Sequence, residues 1–266
     1  YIAEAAARID KELEYAKQIQ LSALPTNFPA GEEYSIYAQM IAAKEVGGDF
    51  YDFYKLNDTT VAFLAADVSG KGIPAAMFMM TAKTIIKDLA ERGLAVNEIF
   101  TKANEKLCEN NESSMFVTAW MGIIDITTGE MQFANAGHNP PLFKRNGEKF
   151  EYMKARSGML LAGMEGIKYR KNELQLTPGD KLYLYTDGVT EATDNNTELY
   201  GEQRLLDFVN SLENTDPEDL CKLIKEDVDK FVDTAPQFDD ITMLAINFDA
   251  ILGDECISVV PDNNSR

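Results

Sequence analysis

The sequence predicts an α+β fold, with two central antiparallel β-sheets and helices packed outside them. Strand-like apolar runs come in groups, and pairs of consecutive helices separate those groups instead of alternating singly with strands. A short turn joins two of the runs, which is the mark of a hairpin and not of a βαβ crossover. At 266 residues the chain suits one large domain with appendages.

Residues 2–23 read as a helix, rich in alanine and charge and free of Gly and Pro, with Pro25 and Pro29 ending it. Ile2, Ile9, Ala16 and Ala23 recur every seven residues, with Ala5 and Ile19 between, while Glu12 and Gln20 interrupt the stripe. Two readings stay open: packing on its own domain, or a short dimerising coil. Strands are expected at 34–42, 50–56 and 60–68, the last almost wholly apolar and therefore central. Helices follow at 74–91, with Pro74 in the first turn and Gly93 past the end, and at 96–109. Runs at 116–126 and 131–135 form a hairpin through Thr127-Thr128-Gly129, and short strands lead to a strong one at 181–185. Helices at 202–212 and 217–232 precede a last strand at 241–248, and the tail from Gly253 is polar and loose. The expected organisation is an N-terminal helix over 1–25, a main domain over 33–249 and a tail over 250–266.

The 44 Asp and Glu outnumber the 25 Lys and Arg, a net charge of −19 that repels nucleic-acid phosphates and anionic lipid. Cys108, Cys221 and Cys256 lie far apart and His138 is the one histidine, which excludes zinc, haem and disulfide scaffolds. Sparse cysteine, no signal peptide and no apolar run near the roughly 18 residues of a membrane span make a cytoplasmic location the expectation. Tyr1 is not an initiator methionine, so an upstream region is also expected.

Candidate chemistry sits where apolar strands meet glycine turns. The run 60–66 enters Asp67-Val68-Ser69-Gly70-Lys71-Gly72; the run 181–186 enters Asp187-Gly188; Asp239-Asp240 opens the last strand; and Gly47-Gly48-Asp49-Phe50-Tyr51-Asp52 opens another. Strand ends hold carboxylates rigidly, and adjacent glycines allow close approach. Converging carboxylates repel unless a cation sits between them, and oxygen-only donors select Mg²⁺ or Mn²⁺. Taken singly, Asp67 also fits a strand-end cap, Asp187-Gly188 a simple turn, and Asp239-Asp240 a solvated pair.

The segments Ala43–Asp52, Asp67–Ala76, Ala134–Pro141, Tyr185–Ala192 and Asp239–Thr242 resemble, in order, those of the SpoIIE-type branch of the metal-dependent (PPM) serine/threonine protein phosphatases. The stretch from Glu12 to Pro25 is similar to the helix that in this family joins an upstream sensory or receiver domain to the catalytic one. The resemblance implies an αββα sandwich with two Mn²⁺ or Mg²⁺ ions at one edge. Asp67 would bridge the ions, with the Val68 carbonyl as a further ligand; Asp49 would bind one ion, Asp187 and Asp239 the other. Asp240 and Asp52 are implied as supporting or third-ion ligands.

Gly70 and Lys71 are substrate-binding candidates beside Gly72; an exposed helix-entry lysine is the alternative for Lys71. Relatives outside this branch carry a histidine just after the bridging aspartate. Val68 and Ser69 stand there instead, so protonation of the leaving alkoxide has no assigned side chain. His138 fits a turn, and 157–166 either a flap near substrate or an ordinary surface loop. The implied substrate is a phosphorylated bacterial signalling protein such as an anti-sigma-factor antagonist. A catalytically inert docking module is one rival. The other is a nucleotide enzyme read from Gly70-x-Gly72-x-x-Ala75, which Pro74 and the second helix argue against.

Overall fold

The computed structural model describes residues 2–29, 31–109 and 111–253, with side chains from Glu4 onward. One sheet has the order β1 (Tyr34–Ile41), β10 (Ile241–Phe248), β9 (Asp180–Tyr185), β6 (Leu142–Lys144), β7 (Phe150–Tyr152). The other runs β2 (Phe50–Lys55), β3 (Thr60–Val68), β4 (Val117–Asp125), β5 (Glu130–Ala136), β8 (Asn172–Gln175). All pairings of these strands are antiparallel, as the α+β reading requires.

Helices α2 (Ile73–Glu91) and α3 (Val96–Cys108) cover the β2–β8 sheet, and α5 (Glu202–Ser211) and α6 (Pro217–Val232) cover the other. Between the sheets lies the main core, in which Trp120 stacks on Phe133 at 5.2 Å between ring centroids. Strand β9 shows why its sequence reads as continuously apolar. Leu182 and Leu184 point into the sandwich, whereas Tyr183 and Tyr185 join the second core under α5 and α6. With both faces covered, alternation disappears.

The expected elements fall within a residue or two of those observed, and helix α6 starts at its Asp216 cap, whose side chain accepts from Asp219 N–H at 2.8 Å. The structure decides three readings left open by the sequence. Asp187-Gly188 is not a bare turn but opens a one-turn helix, α4 (Asp187–Thr190).

The stretch 157–166 is not a free flap. Leu161 exchanges two backbone hydrogen bonds with Val117, and Asn104 holds Ala162 N–H and Met164 C=O.

Helix α1 (Ile2–Ala23) packs through a face that takes in only the half-buried Ala16 and Ala23 of the seven-residue stripe. Ile9 and Ile19 are 57% and 64% exposed, while Gln20 and Leu24 are buried. The Ile2 side chain, Cys256 and the tail beyond Gly253 lie outside the described residues. Among the described residues no helix is long and apolar enough to cross a membrane.

Candidate metal centre

Strand register brings the aspartates together at one end of the sandwich. Phe50 pairs with Ala66, so Asp49, one residue ahead of β2, comes level with Asp67 at the end of β3. In the other sheet Met243 pairs with Tyr185 and Thr186 N–H donates to Thr242 C=O, which sets Asp239 and Asp240 beside Asp187.

Glycines permit the approach. A Cβ on Gly47 would stand 2.5 Å from the Asp240 carboxylate, and one on Gly188 would overlap the Asp240 carbonyl oxygen.

Burial and like charge dominate the electrostatics. Asp49 is pushed well above the usual carboxylate range, by burial first and by the charge of Asp67 next. Burial and Asp187 push Asp67 up to about 7, and burial with Glu191 and Asp239 pushes Asp187 up to about 6.

Protein donors take some of the carboxylate oxygens. Thr186 Oγ1 donates to Asp49 Oδ2 at 2.6 Å, and Asp240 accepts from Gly48 N–H at 2.7 Å and Ala43 N–H at 2.8 Å. Lys71 Nζ lies 2.9 Å from Asp239 Oδ2, donates to Phe238 C=O at 2.6 Å and sits 3.7 Å from the Phe238 ring centroid. So arranged, no three acidic, His or Cys side chains among the described residues form a finished cation cage. The donor chemistry nonetheless fits Mg²⁺ or Mn²⁺: crowded, oxygen-only carboxylates that repel one another unless a hard cation lies between them.

The structure therefore gathers Asp49, Asp67, Asp187, Asp239 and Asp240 and places Val68 and Gly70 on the same β3 exit. Asp240 serves here as a brace for the 43–48 loop. Asp52 does not join them. Three residues past Asp49 it faces α2, where Lys83 Nζ holds it at 2.6 Å in a buried ion pair, so it supports the strand and no cation. Lys71 is not a simple exposed lysine, since it is latched to Asp239. His138 stays out of the site: it is buried, bonded through Nδ1 to Thr118 Oγ1 at 2.9 Å, with its pKa pushed down to about 4 by burial. Asn135 grips its N–H and C=O at 2.7 and 2.9 Å, the turn role expected of it.

Two residues escaped the sequence reading. Thr186 orients Asp49 as described. Gln20, an interruption in the α1 stripe, is buried and clamps the peptide of Gly47: its Nε2 donates to Gly47 C=O at 2.6 Å and its Oε1 accepts from Gly47 N–H at 3.0 Å. Its only signal was a polar residue in an apolar position.

Helix α1 thus touches the Gly47-Gly48 loop directly. Gln20→Ala should remove about 1–3 kcal/mol of buried hydrogen bonding and loosen the loop. In a Mn²⁺ titration of turnover, half-activation is expected to move about tenfold higher, equivalent to ~1.4 kcal/mol. An unmoved midpoint would leave α1 a passive linker.

Comparison with known proteins agrees with this fold. The family model "Stage II sporulation protein E (SpoIIE)" matches residues 57–249. Protein IcfG of Synechocystis is 32% identical over 88% of the chain and 41% of its own length. Phosphoserine phosphatase RsbU of Bacillus subtilis is 31% identical over 71% of the chain and 56% of its own length. The chain spans about half the length of these curated relatives. The solved SiaA-PP2C domain of Pseudomonas aeruginosa superposes with a TM-score of 0.81 at 23% identity, covering 93% of this chain and all of that one. With its aspartates gathered at the end of a PP2C-type sandwich, the chain belongs to the SpoIIE family of metal-dependent serine/threonine protein phosphatases.

Proposed function

We propose that the chain hydrolyses phosphoserine or phosphothreonine on a bacterial signalling protein of the anti-sigma-factor-antagonist kind. The convergence of Asp49, Asp67, Asp187 and Asp239 carries the reading, and the resemblance to a phosphoserine phosphatase supports it. Asp67 between Asp49 and Asp187, with the Val68 carbonyl, would hold two Mg²⁺ or Mn²⁺ ions; Asp239 completes the set. Ions bound there supply an acidified water and positive charge for phosphoryl oxygens.

The chain's own groups do the positioning. Thr186 orients Asp49, Asp240 braces the Gly47-Gly48 loop, and Lys71 is the one ammonium held against these carboxylates among the described residues. His138 is buried and kept neutral by that burial, so it is assigned no part in protonating a leaving alkoxide. The proposal includes a cytoplasmic location, an upstream sensory or receiver domain, and self-association through the exposed Ile9 and Ile19 of α1.

A docking module without turnover would need a broken acidic set, and this set is intact. Hydrolysis of p-nitrophenyl phosphate and of a phosphoserine peptide is expected with Mn²⁺ and to vanish with EDTA, with no phosphorylated enzyme trapped in turnover. No Mn²⁺-dependent hydrolysis would return the chain to the docking reading; a trapped phospho-Asp or phospho-Ser would overturn the mechanism.

A further inference from the structure

Positive charge is segregated on this acidic molecule. The thirty residues 142–171 carry eight Lys and Arg against three Glu, so the stretch is +5 within a chain of −19. Its outward cations cluster. Segment 154–158 lies beside segment 168–171: a Cβ on Gly158 would be 3.2 Å from the Tyr169 ring, and Tyr169 OH donates to Leu160 C=O at 3.2 Å. Because Tyr169 is buried, its neighbours Lys168 and Arg170 project outward, where Lys154, Arg156 and Lys171 are also exposed.

Lys154, Arg156, Lys168 and Arg170 enter no ion pair among the described residues, and Lys171 pairs only with the exposed Glu173 at 2.7 Å. Glu151 and Glu173 lie on the adjoining strand edges, at β7 and β8.

The patch has a fixed relation to the aspartates. Gly158 bridges Ala136 of β5, β5 pairs with β4, and β4 pairs with β3, which carries Asp67. Three strand spacings of about 4.8 Å put the Gly158 backbone ~14 Å from Asp67. An extended peptide covers that in four or five residues at about 3.3 Å each.

We propose that this basic face docks an acidic segment of the phosphoprotein substrate, offset at least four residues from the phosphorylated side chain. The proposal rests on the phosphatase reading and adds how a protein substrate is chosen. An acidic partner is repelled by most of this surface and attracted here, so charge complementarity selects both partner and orientation. The separation also matters chemically, because carboxylates immediately beside the phosphoester would meet the aspartates themselves.

The test uses phosphoserine peptides carrying an Asp/Glu tract four to eight residues away, on either side, against peptides with Asn/Gln at the same positions. At low salt the wild-type KM is expected to be at least about tenfold lower for the acidic tract on one side, with the advantage falling below about twofold at 0.5 M salt as charges are screened. The triple variant K154E/R156E/R170E should erase the preference while kcat and p-nitrophenyl phosphate hydrolysis stay unchanged. Equal KM for both tracts in the wild type, or a preference that survives in the variant, would overturn the proposal. So would binding to phosphatidylglycerol vesicles without peptide preference. Fluorescence anisotropy of the acidic peptide is measured alongside, so that if no ester is hydrolysed the phosphatase reading fails while binding, lost in the variant or not, still decides the docking face.

Discussion

Asp67→Asn is expected to cost at least about 10³-fold in Mn²⁺-dependent turnover and, at the same time, to raise the melting temperature of the metal-free protein. Disturbing groups that merely support a metal ligand costs about 10–100-fold, so removing the carboxylate shared by the whole set should cost more. The stability gain follows from crowding. Asp67 is pushed up to about 7, by burial first and by Asp187 next, against roughly 3.9 in an unfolded chain.

Below pH ~4 the group is protonated in both states and contributes nothing. Between the two values only the unfolded chain has it ionised, and above ~7 the full penalty of a buried charge is present. Three pKa units set a ceiling of about 4 kcal/mol, which solvent and relaxation reduce to roughly 2, or about 4–8 °C. The gap between variant and wild type should open as pH rises from 5 to 8 and close near pH 4. His138, kept neutral by burial, destabilises both proteins alike on acidification and cancels from the difference. Thermal melts with EDTA at pH 4.5, 6 and 8 measure it, and a variant that melts below wild type at pH 8 would refute the crowding argument.

Gly188→Ala should be the most damaging single methyl group in the molecule. Its Cβ would overlap the carbonyl oxygen of Asp240, and both backbones are held, one by the α4 turn and one by the β9–β10 ladder. Neither can retreat without separating Asp187 from Asp239 and Asp240. A loss of about 3 kcal/mol is expected from overpacking, a fall of ~6–12 °C, together with a weakened response to Mn²⁺. Gly93→Ala is the control: just past the end of α2 its φ is +73°, but nothing lies within 4 Å of its Cβ, so about 1 kcal/mol of backbone strain is all it should cost. Equal melting of the two variants would show that close approach at Gly188 is not what holds the two aspartate segments together.

How much of this was legible in the sequence depends on how local each cause is. Strands 60–68 and 241–248 declare themselves because both faces are buried, and helix 217–232 because Asp216 and Pro217 mark its start. The aspartates stood out because each sits where an apolar strand meets a glycine, a local pattern of rigidity beside permitted approach. The sequence alone therefore determined the fold class, the element boundaries and the acidic candidates.

Tertiary structure decided the rest, since β1 pairs with β10 across some two hundred residues and no nearby signal encodes that choice. It sorted Asp49, just ahead of β2, from Asp52, three positions on and within it, by turning one toward Asp67 and the other toward Lys83. It made Gln20, an apparent flaw in an apolar stripe, the clamp on Gly47, and left Ile9 and Ile19 outside. The physical reason is that a residue's own chemistry states what it can bind, whereas which partner it meets is set by the packing of surfaces distant in the chain.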